Sequence, residues 1–378
     1  MKVGVPTEVK ADEYRVAITP AGVRELAVHG HETIIQSGAG DGSLISDEEY
    51  AAQGATIVPD ASEVFERAEL VLKVKEPQAE EVAMLGEGQS LFAYLHLAPN
   101  PELASALCDS GATCIAYETV VDGQGRLPLL APMSEVAGKI ATQAGAFMLE
   151  RPLGGRGVLL GGVPGVASAT VVVIGGGVVG MNAAFIAIGM EAEVFVLDRS
   201  VDQLRGLDIA LGGRANTVFS SILAIEELLP RADLVIGAVL VQGARTPRLV
   251  TREQLGLMKR RAVLVDVSID QGGCFETSRP TTHSDPTYEV DGVTHYCVTN
   301  MPGAVPITST FALTNATLPY VLELAGKGVR EALTIDPGLR AGVNVAGGRI
   351  THPGVAEGVD MELATVEEAL GSPAPRAA

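Results

Sequence analysis

Two hydrophobic rhythms alternate along this chain. Short runs of Val, Ile and Leu with almost no polar interruption mark strands buried on both faces, and longer stretches with apolar residues every three to four positions mark helices packed on them. In the first third, the pattern predicts strands over 1–6, 32–36, 70–74, 90–94 and 113–116. Helices are predicted between them over 20–28, 47–53 and 101–110. A long helical segment follows over 132–149; Pro132 opens it, and Ser134, followed by Glu135, offers an N-cap. The glycine-rich RPLGGRGVLLGGVPGV then breaks the pattern. A second strand series begins, over 171–174, 193–197, 234–236, 262–266 and 294–298, and near Pro306 it gives way to a second long helix over 310–324.

Strand-helix alternation of this kind implies an α/β fold with doubly wound parallel sheets. Two such series imply two Rossmann-like domains joined by the two long helices, the first domain discontinuous. The expected boundaries are 1–130 plus 308–378 for one domain and 131–307 for the other. The length supports this, because 378 residues exceed what one core usually serves, and 47% hydrophobic residues suffice for two. Trp is absent and aromatics are only 4%, which leaves the cores to Val, Ile, Leu and Ala.

Charge narrows the partners. A net charge of −19 without a basic run repels phosphate backbones and anionic bilayers, which excludes nucleic acid. No segment offers the roughly 18 uninterrupted apolar residues of a membrane span, and MKVGVPTEVKADEYR lacks the apolar core of a signal peptide. The expectation is a cytoplasmic protein with no membrane partner. Cys108, Cys114, Cys274 and Cys297 fit neither a CxxC metal pattern nor a disulfide framework, so they read as reduced buried thiols without structural zinc.

The stretch TVVVIGGGVVGMNAAFIAIGMEAEVFVLD, from Thr170 to Asp198, carries specific chemistry. Gly175 permits a tight turn, Gly177 close approach of a pyrophosphate to the backbone, and Gly180 close packing of helix on strand. The helix N-terminus then faces the anion. Asp198 closes the next strand, where a carboxylate accepts hydrogen bonds from ribose hydroxyls and repels a 2′-phosphate. Strand, glycines, helix, strand and acid in this order predict a bound dinucleotide, NAD; Arg199, beside the acid, is the residue able to accommodate NADP instead.

With that motif placed, VLKVKEPQ, LFAYLHLA, LPLLAPMSEVAGK, VDVSIDQGGCFETSRPTTHSDPTY and VTNMPGAVPITST become diagnostic. Together they resemble the bacterial alanine dehydrogenases, from GVPTEVKADEYRVAITP through ALTNATLPYVLELA and beyond. The resemblance implies reversible oxidative deamination of L-alanine with NAD to pyruvate, ammonium and NADH, in a homohexamer. The NAD-binding subunit of proton-pumping transhydrogenase resembles the same scaffold and is the homologous alternative. The pair His96 and Asp270, and the lack of a membrane segment, speak against it. Saccharopine dehydrogenase shares the architecture but not the strings IDQGGCFE and NMPGAVP, and a non-catalytic NAD sensor remains a third class.

The resemblance also assigns residues. His96 matches the catalytic histidine, an acid/base with an ordinary pKa near 6.5. Asp270 matches the second catalytic residue, a carboxylate that stabilises the ammonium or iminium at the reacting carbon. Lys75 and Arg15 match a carboxylate-binding pair; strand alternation places Lys73 and Lys75 on one face, so periodicity leaves that choice open and the resemblance selects Lys75. Tyr94, Met133 and Asn300 match pocket residues that limit the substrate side chain to a methyl group. For the cofactor, Ser134 and the backbone N–H groups of Val178 and Val179 face the phosphates. Ser220, Val239, Leu240, Val267, Ser268, Ile269, Asp270, Arg279, Val298, Thr299, Asn300 and Met301 match further contacts. Two departures are notable. Gln203 replaces a lysine of the family, which leaves Asp198 to carry recognition of the adenosine end. A Glu with a His four residues later, which binds magnesium in some relatives, reads Glu323 and Lys327, so no metal site is expected.

Overall fold

The computed structural model describes residues 1–239 and 246–371. The chain divides into two compact units, Met1–Met133 with Val305–Ala378, and Ser134–Ala304.

In the first unit, strands β1 (Lys2–Val5), β2 (Glu32–Gln36), β3 (Thr56–Val58), β4 (Leu70–Leu72), β5 (Ser90–Ala93) and β6 (Thr113–Ala116) run parallel in the order β3-β2-β1-β4-β5-β6. The second unit holds β7 (Thr170–Ile174), β8 (Glu193–Asp198), β9 (Asn216–Phe219), β10 (Leu234–Gly237) and β11 (Val263–Asp266). It also holds β12 (Thr287–Val290) and β13 (Val293–Tyr296). Its parallel strands take the order β9-β8-β7-β10-β11-β13, with β12 antiparallel at the edge. The chain then adds β14 (Val343–Ala346) and β15 (Arg349–Ile350) antiparallel beside β6. Each unit is thus a doubly wound sheet whose order reverses once, between β1 and β4 in the first and between β7 and β10 in the second. Ligands of open α/β sheets bind outside the carboxyl ends of the strands at such a reversal.

The predicted apolar runs form the centres of both sheets; β4, β5, β7, β10 and β11 are buried at every position. Helices close the faces: Ala61–Arg67 approaches β1 so closely that a Cβ on Gly4 would lie 2.6 Å from the Ala68 Cβ.

Several boundaries differ from the sequence reading, each for a local reason. β4 ends at Leu72 rather than at position 74, because the Val74 and Lys75 N–H groups turn to the Glu8 carboxylate, at 2.6 and 3.3 Å. The long helix starts at Ala131, where a turn at Leu127–Leu130 leads straight into it through the 3.0 Å bond from Ala131 N–H to Leu127 C=O. Ser134 therefore sits inside the first turn and is not the N-cap. The last long helix extends over Pro306–Lys327, with Pro306 in its first turn and Pro319 within it.

Five short strands escaped the sequence reading. Two of them, β12 and β15, close hairpins whose two-residue turns, Asp291-Gly292 and Gly347-Gly348, all adopt positive φ. That is the geometry type I′ turns require, and Asp-Gly and Gly-Gly between β-branched runs are its sequence signal. No helix of the described residues is long and apolar enough to cross a membrane.

Candidate active site

In the second unit, the glycine turn joins β7 to the helix Val178–Gly189. Gly175 has φ +106°, and a Cβ there would lie 2.6 Å from the Ala238 carbonyl oxygen at the neighbouring strand end. A Cβ on Gly180 would lie 1.8 Å from the Gly175 oxygen, so that residue is required by packing of the helix on its own turn. Gly177 is different: its φ is −67°, and a Cβ would meet nothing within 4 Å. Nothing in the fold demands glycine there. The open space in front of the helix N-terminus, lined by the exposed Val178 and half-buried Val179, is what a close-lying phosphate needs.

Asp198 at the end of β8 accepts from Gly176 N–H and Ser200 N–H, each at 2.8 Å, and so ties its carboxylate to the glycine turn. Gln203 braces the same turn from the other side, donating from Nε2 to the Gly176 carbonyl at 2.6 Å. Ser220 follows β9, its N–H bonded to the Asp198 carbonyl, and Arg199 points to solvent. The residues present therefore fit a dinucleotide: free space at Gly177, helix amides, and a braced acid at the ribose position.

At the carboxyl end of β11, Val267–Gln271 forms a 3-10 turn carrying Ser268, Ile269 and Asp270. Asp266, which is buried, organises it by accepting from Ser268 N–H (3.0 Å), Cys274 N–H (2.9 Å) and Ser278 Oγ (2.5 Å); burial still pushes its carboxyl up. Ser268 Oγ donates to the Val239 carbonyl at 2.7 Å, joining the ends of β10 and β11; Leu240 lies outside the described residues. Asp270 is exposed, and its Oδ1 accepts from Asn300 N–H at 3.4 Å. Asn300 adopts φ +54° in a loop where Val298 and Met301 are buried and Thr299 N–H bonds to the Thr281 carbonyl. Arg279 lies flat over Tyr288, its guanidinium carbon 4.0 Å from the ring centroid. Ser134 is half-buried in the first turn of the Ala131–Met148 helix.

The first unit gathers charged groups at its own sheet reversal. Lys73 is 1% exposed and held by Glu8 at 3.1 Å and Glu81 at 2.7 Å. Burial opposes its charge, but the two carboxylates outweigh it and leave the ammonium harder to deprotonate. Lys75, two residues on, is half-buried, and its backbone N–H is bonded to Glu8. Position in the fold thus separates two lysines that periodicity could not. Arg15 is buried; Glu13 holds it through Nε at 2.6 Å and through Nη2, and its Nη1 lies 3.0 Å from Met133 Sδ. Tyr94 donates to the Leu129 carbonyl at 2.6 Å, and burial pushes its phenol up, so it stays protonated and serves as a wall.

His96 stacks on Tyr94 with ring centroids 5.8 Å apart and planes 3° apart, and its side chain is 42% exposed. Its backbone is left-handed, φ +47°. Glu118, in the turn after β6, accepts from His96 N–H at 2.7 Å and from Leu95 N–H at 3.1 Å. The sequence reading missed Glu8, Glu13, Glu118 and Asp266. Glu118 and Asp266, like Asp198, are acids at or just past the carboxyl end of an apolar strand, but neither follows a glycine motif. Glu323 and Lys327 form an ion pair at 2.7 Å, and no cluster of three or more potential metal ligands occurs among the described residues.

Two doubly wound sheets, one with a dinucleotide-type glycine turn, define a two-domain α/β protein of the dinucleotide-binding class. The comparisons narrow the class. Residues 4–137 match the family model of the alanine dehydrogenase/PNT N-terminal domain, and residues 141–353 that of the C-terminal domain. The chain is 58% identical over 371 residues to an alanine dehydrogenase of Halomonas elongata, covering 98% of this chain and 100% of that one. It is 56% identical over 370 residues to an alanine dehydrogenase of Mycolicibacterium smegmatis, with 98% and 100% covered. A solved L-alanine dehydrogenase superposes with a TM-score of 0.92 at 48% identity, covering 95% of this chain and 99% of that one. A transhydrogenase from Sinorhizobium meliloti superposes with 0.80 at 26% identity, covering 93% and 99%. The chain belongs to the alanine dehydrogenase/PNT family.

Two outcomes follow from the site geometry. Lys73→Ala strands Glu8 and Glu81 as buried carboxylates and should cost about 3–5 kcal/mol in denaturant unfolding; a loss below 1 kcal/mol would contradict the triad. In the glycine turn, Gly180→Ala should lower stability by about 1–3 kcal/mol. Gly177→Ala should melt near the parent temperature yet bind NADH more weakly, as titrated by fluorescence. Equal destabilisation by both substitutions would make Gly177 structural.

Proposed function

We propose that the protein is an NAD-dependent L-alanine dehydrogenase, converting L-alanine reversibly to pyruvate and ammonium. The observation that carries this reading is the first unit's constellation at its sheet reversal: an exposed imidazole stacked on a buried tyrosine, with Arg15 and Lys75 in the same unit. Such a set suits a small 2-amino or 2-oxo acid, whose carboxylate needs local cations on a chain of net charge −19.

Each residue has a task in this proposal. Lys75 and Arg15 bind the substrate carboxylate by charge-assisted hydrogen bonds. Tyr94 and Met133 leave room for a methyl group, and Asn300 keeps the substrate role that the family assigns it. When bound, NAD supplies the hydride acceptor. His96 takes the proton released as water adds to the iminium, passes it to the carbinolamine nitrogen, and takes the hydroxyl proton as ammonia leaves; in reverse it returns a proton to the pyruvate oxygen. Asp270 stabilises positive charge on the nitrogen. Asp198 selects NAD by facing the ribose hydroxyls. The proposal extends to a cytoplasmic homohexamer, for which light scattering is the measure of assembly.

The direct test is NADH formation from NAD across a panel of L-amino acids, repeated with NADP. Alanine with NAD should dominate. Dinucleotide binding without alanine-dependent turnover would favour a non-catalytic NAD-binding role, and equal use of NADP would reassign Asp198 and implicate Arg199.

Variants then test the roles. His96→Ala and Asp270→Asn should each bind NADH like the parent and lose about 100-fold or more in turnover. Lys75→Ala should raise the pyruvate Michaelis constant about ten- to hundredfold with NADH affinity unchanged. Near-parental turnover in His96→Ala would remove the histidine from the mechanism.

A further inference from the structure

We infer that Glu118 is the positioning residue of the His96 acid/base: it fixes the histidine backbone and sets the protonation range of the imidazole. The inference rests on the reading of His96 given above and concerns only how the first unit controls that residue.

The backbone argument comes first. β5 ends at Ala93, and the chain beyond it, Tyr94-Leu95-His96, leaves the strand conformation. Glu118 accepts the N–H groups of Leu95 and His96 through Oε1, at 3.1 and 2.7 Å, and Leu95 N–H also lies 3.2 Å from Oε2. A single carboxylate therefore gathers two successive amides and bends the chain into the left-handed region at His96, which is costly for a residue with a Cβ. The bend lays the ring against Tyr94.

The electrostatic argument follows from the same geometry. Glu118 Oε1 lies 3.9 Å from His96 Nδ1, too far for a hydrogen bond but close enough to favour the imidazolium. Tyr94, Glu76 and His352 also bear on this site. Tyr94 stays neutral, with Arg15 near its hydroxyl. Glu76 interacts with His96 through space, yet it is also paired with Lys10 and lies near Lys75, so its charge is largely compensated. His352 lies within the field of Glu118, and burial pushes its pKa down, which keeps it neutral near pH 7. Glu118 is the carboxylate that both clamps the His96 backbone and lies beside its Nδ1.

Two substitutions separate the two functions. Glu118→Gln keeps an acceptor oxygen for both amides and removes the charge; Glu118→Ala removes both. Alanine oxidation needs neutral His96 as base, so its acidic limb reports the imidazole. Losing a neighbouring anion favours the neutral ring, and Glu118→Gln should shift that limb to lower pH by about half a unit or more, with melting temperature and NADH affinity unchanged. Glu118→Ala should lose about tenfold or more in turnover. In a His96→Ala background, Glu118→Gln should cause no further loss, because its target is gone. An unmoved acidic limb in Glu118→Gln, with His96→Ala inactive, would overturn this inference and leave the role of His96 intact. A fully active His96→Ala would instead overturn the reading on which it rests.

Discussion

Where a parallel strand ends and the chain turns away, backbone N–H groups lose their ladder partners, and burial makes an unpaired N–H costly. This protein meets that constraint repeatedly with a carboxylate. Glu8 takes the amides of Val74 and Lys75 past β4, and Glu118 those of Leu95 and His96 past β5. Asp198 takes those of Gly176 and Ser200, and Asp266 those of Ser268 and Cys274. Each clamp holds the segment bearing a residue with assigned chemistry: Lys75, His96, the glycine turn and Asp270. Carboxylates suit the task because two oxygens accept from several donors at once, which a neutral hydroxyl cannot match.

The arrangement has an electrostatic consequence. Acids used as clamps bring negative charge to the strand ends, where the proposed substrate is itself an anion. In the first unit cations meet much of the acid charge: Lys73 lies between the clamp Glu8 and Glu81, Lys10 pairs with Glu76, and Arg15 with Glu13. Cations sit among the clamps although the chain as a whole is strongly acidic. The same economy governs the glycines. Gly180 answers a contact within the protein, whereas Gly177 borders open space at the helix N-cap.

Much of the fold was legible because parallel sheets, buried on both faces, write themselves as continuous apolar runs. The runs over 32–36 and 113–116 became β2 and β6 at the predicted residues. What escaped was short or lay at an edge, as with β9, half exposed, and the two hairpins, whose Asp-Gly and Gly-Gly turns were nonetheless readable. Asp198 stood out by following a glycine motif. Glu118 and Asp266 occupy equivalent places without such a neighbour, and their partners lie across loops that local sequence does not bring together.

By itself the sequence determined the α/β class, the glycine turn, and the family that the comparisons bear out, because each is written in contiguous residues: apolar period, glycine spacing, and strings such as IDQGGCFE. Only the tertiary structure decided which charged residues are held and by what. Lys73 and Lys75 share a chemistry and a strand parity, yet Glu8 and Glu81 enclose the Lys73 ammonium, while at Lys75 Glu8 takes the backbone N–H. His96 owes its left-handed backbone to a carboxylate 22 residues away. Such outcomes depend on which side chains burial brings within hydrogen-bonding distance, and that is settled by the order of strands in the sheet rather than by position along the chain.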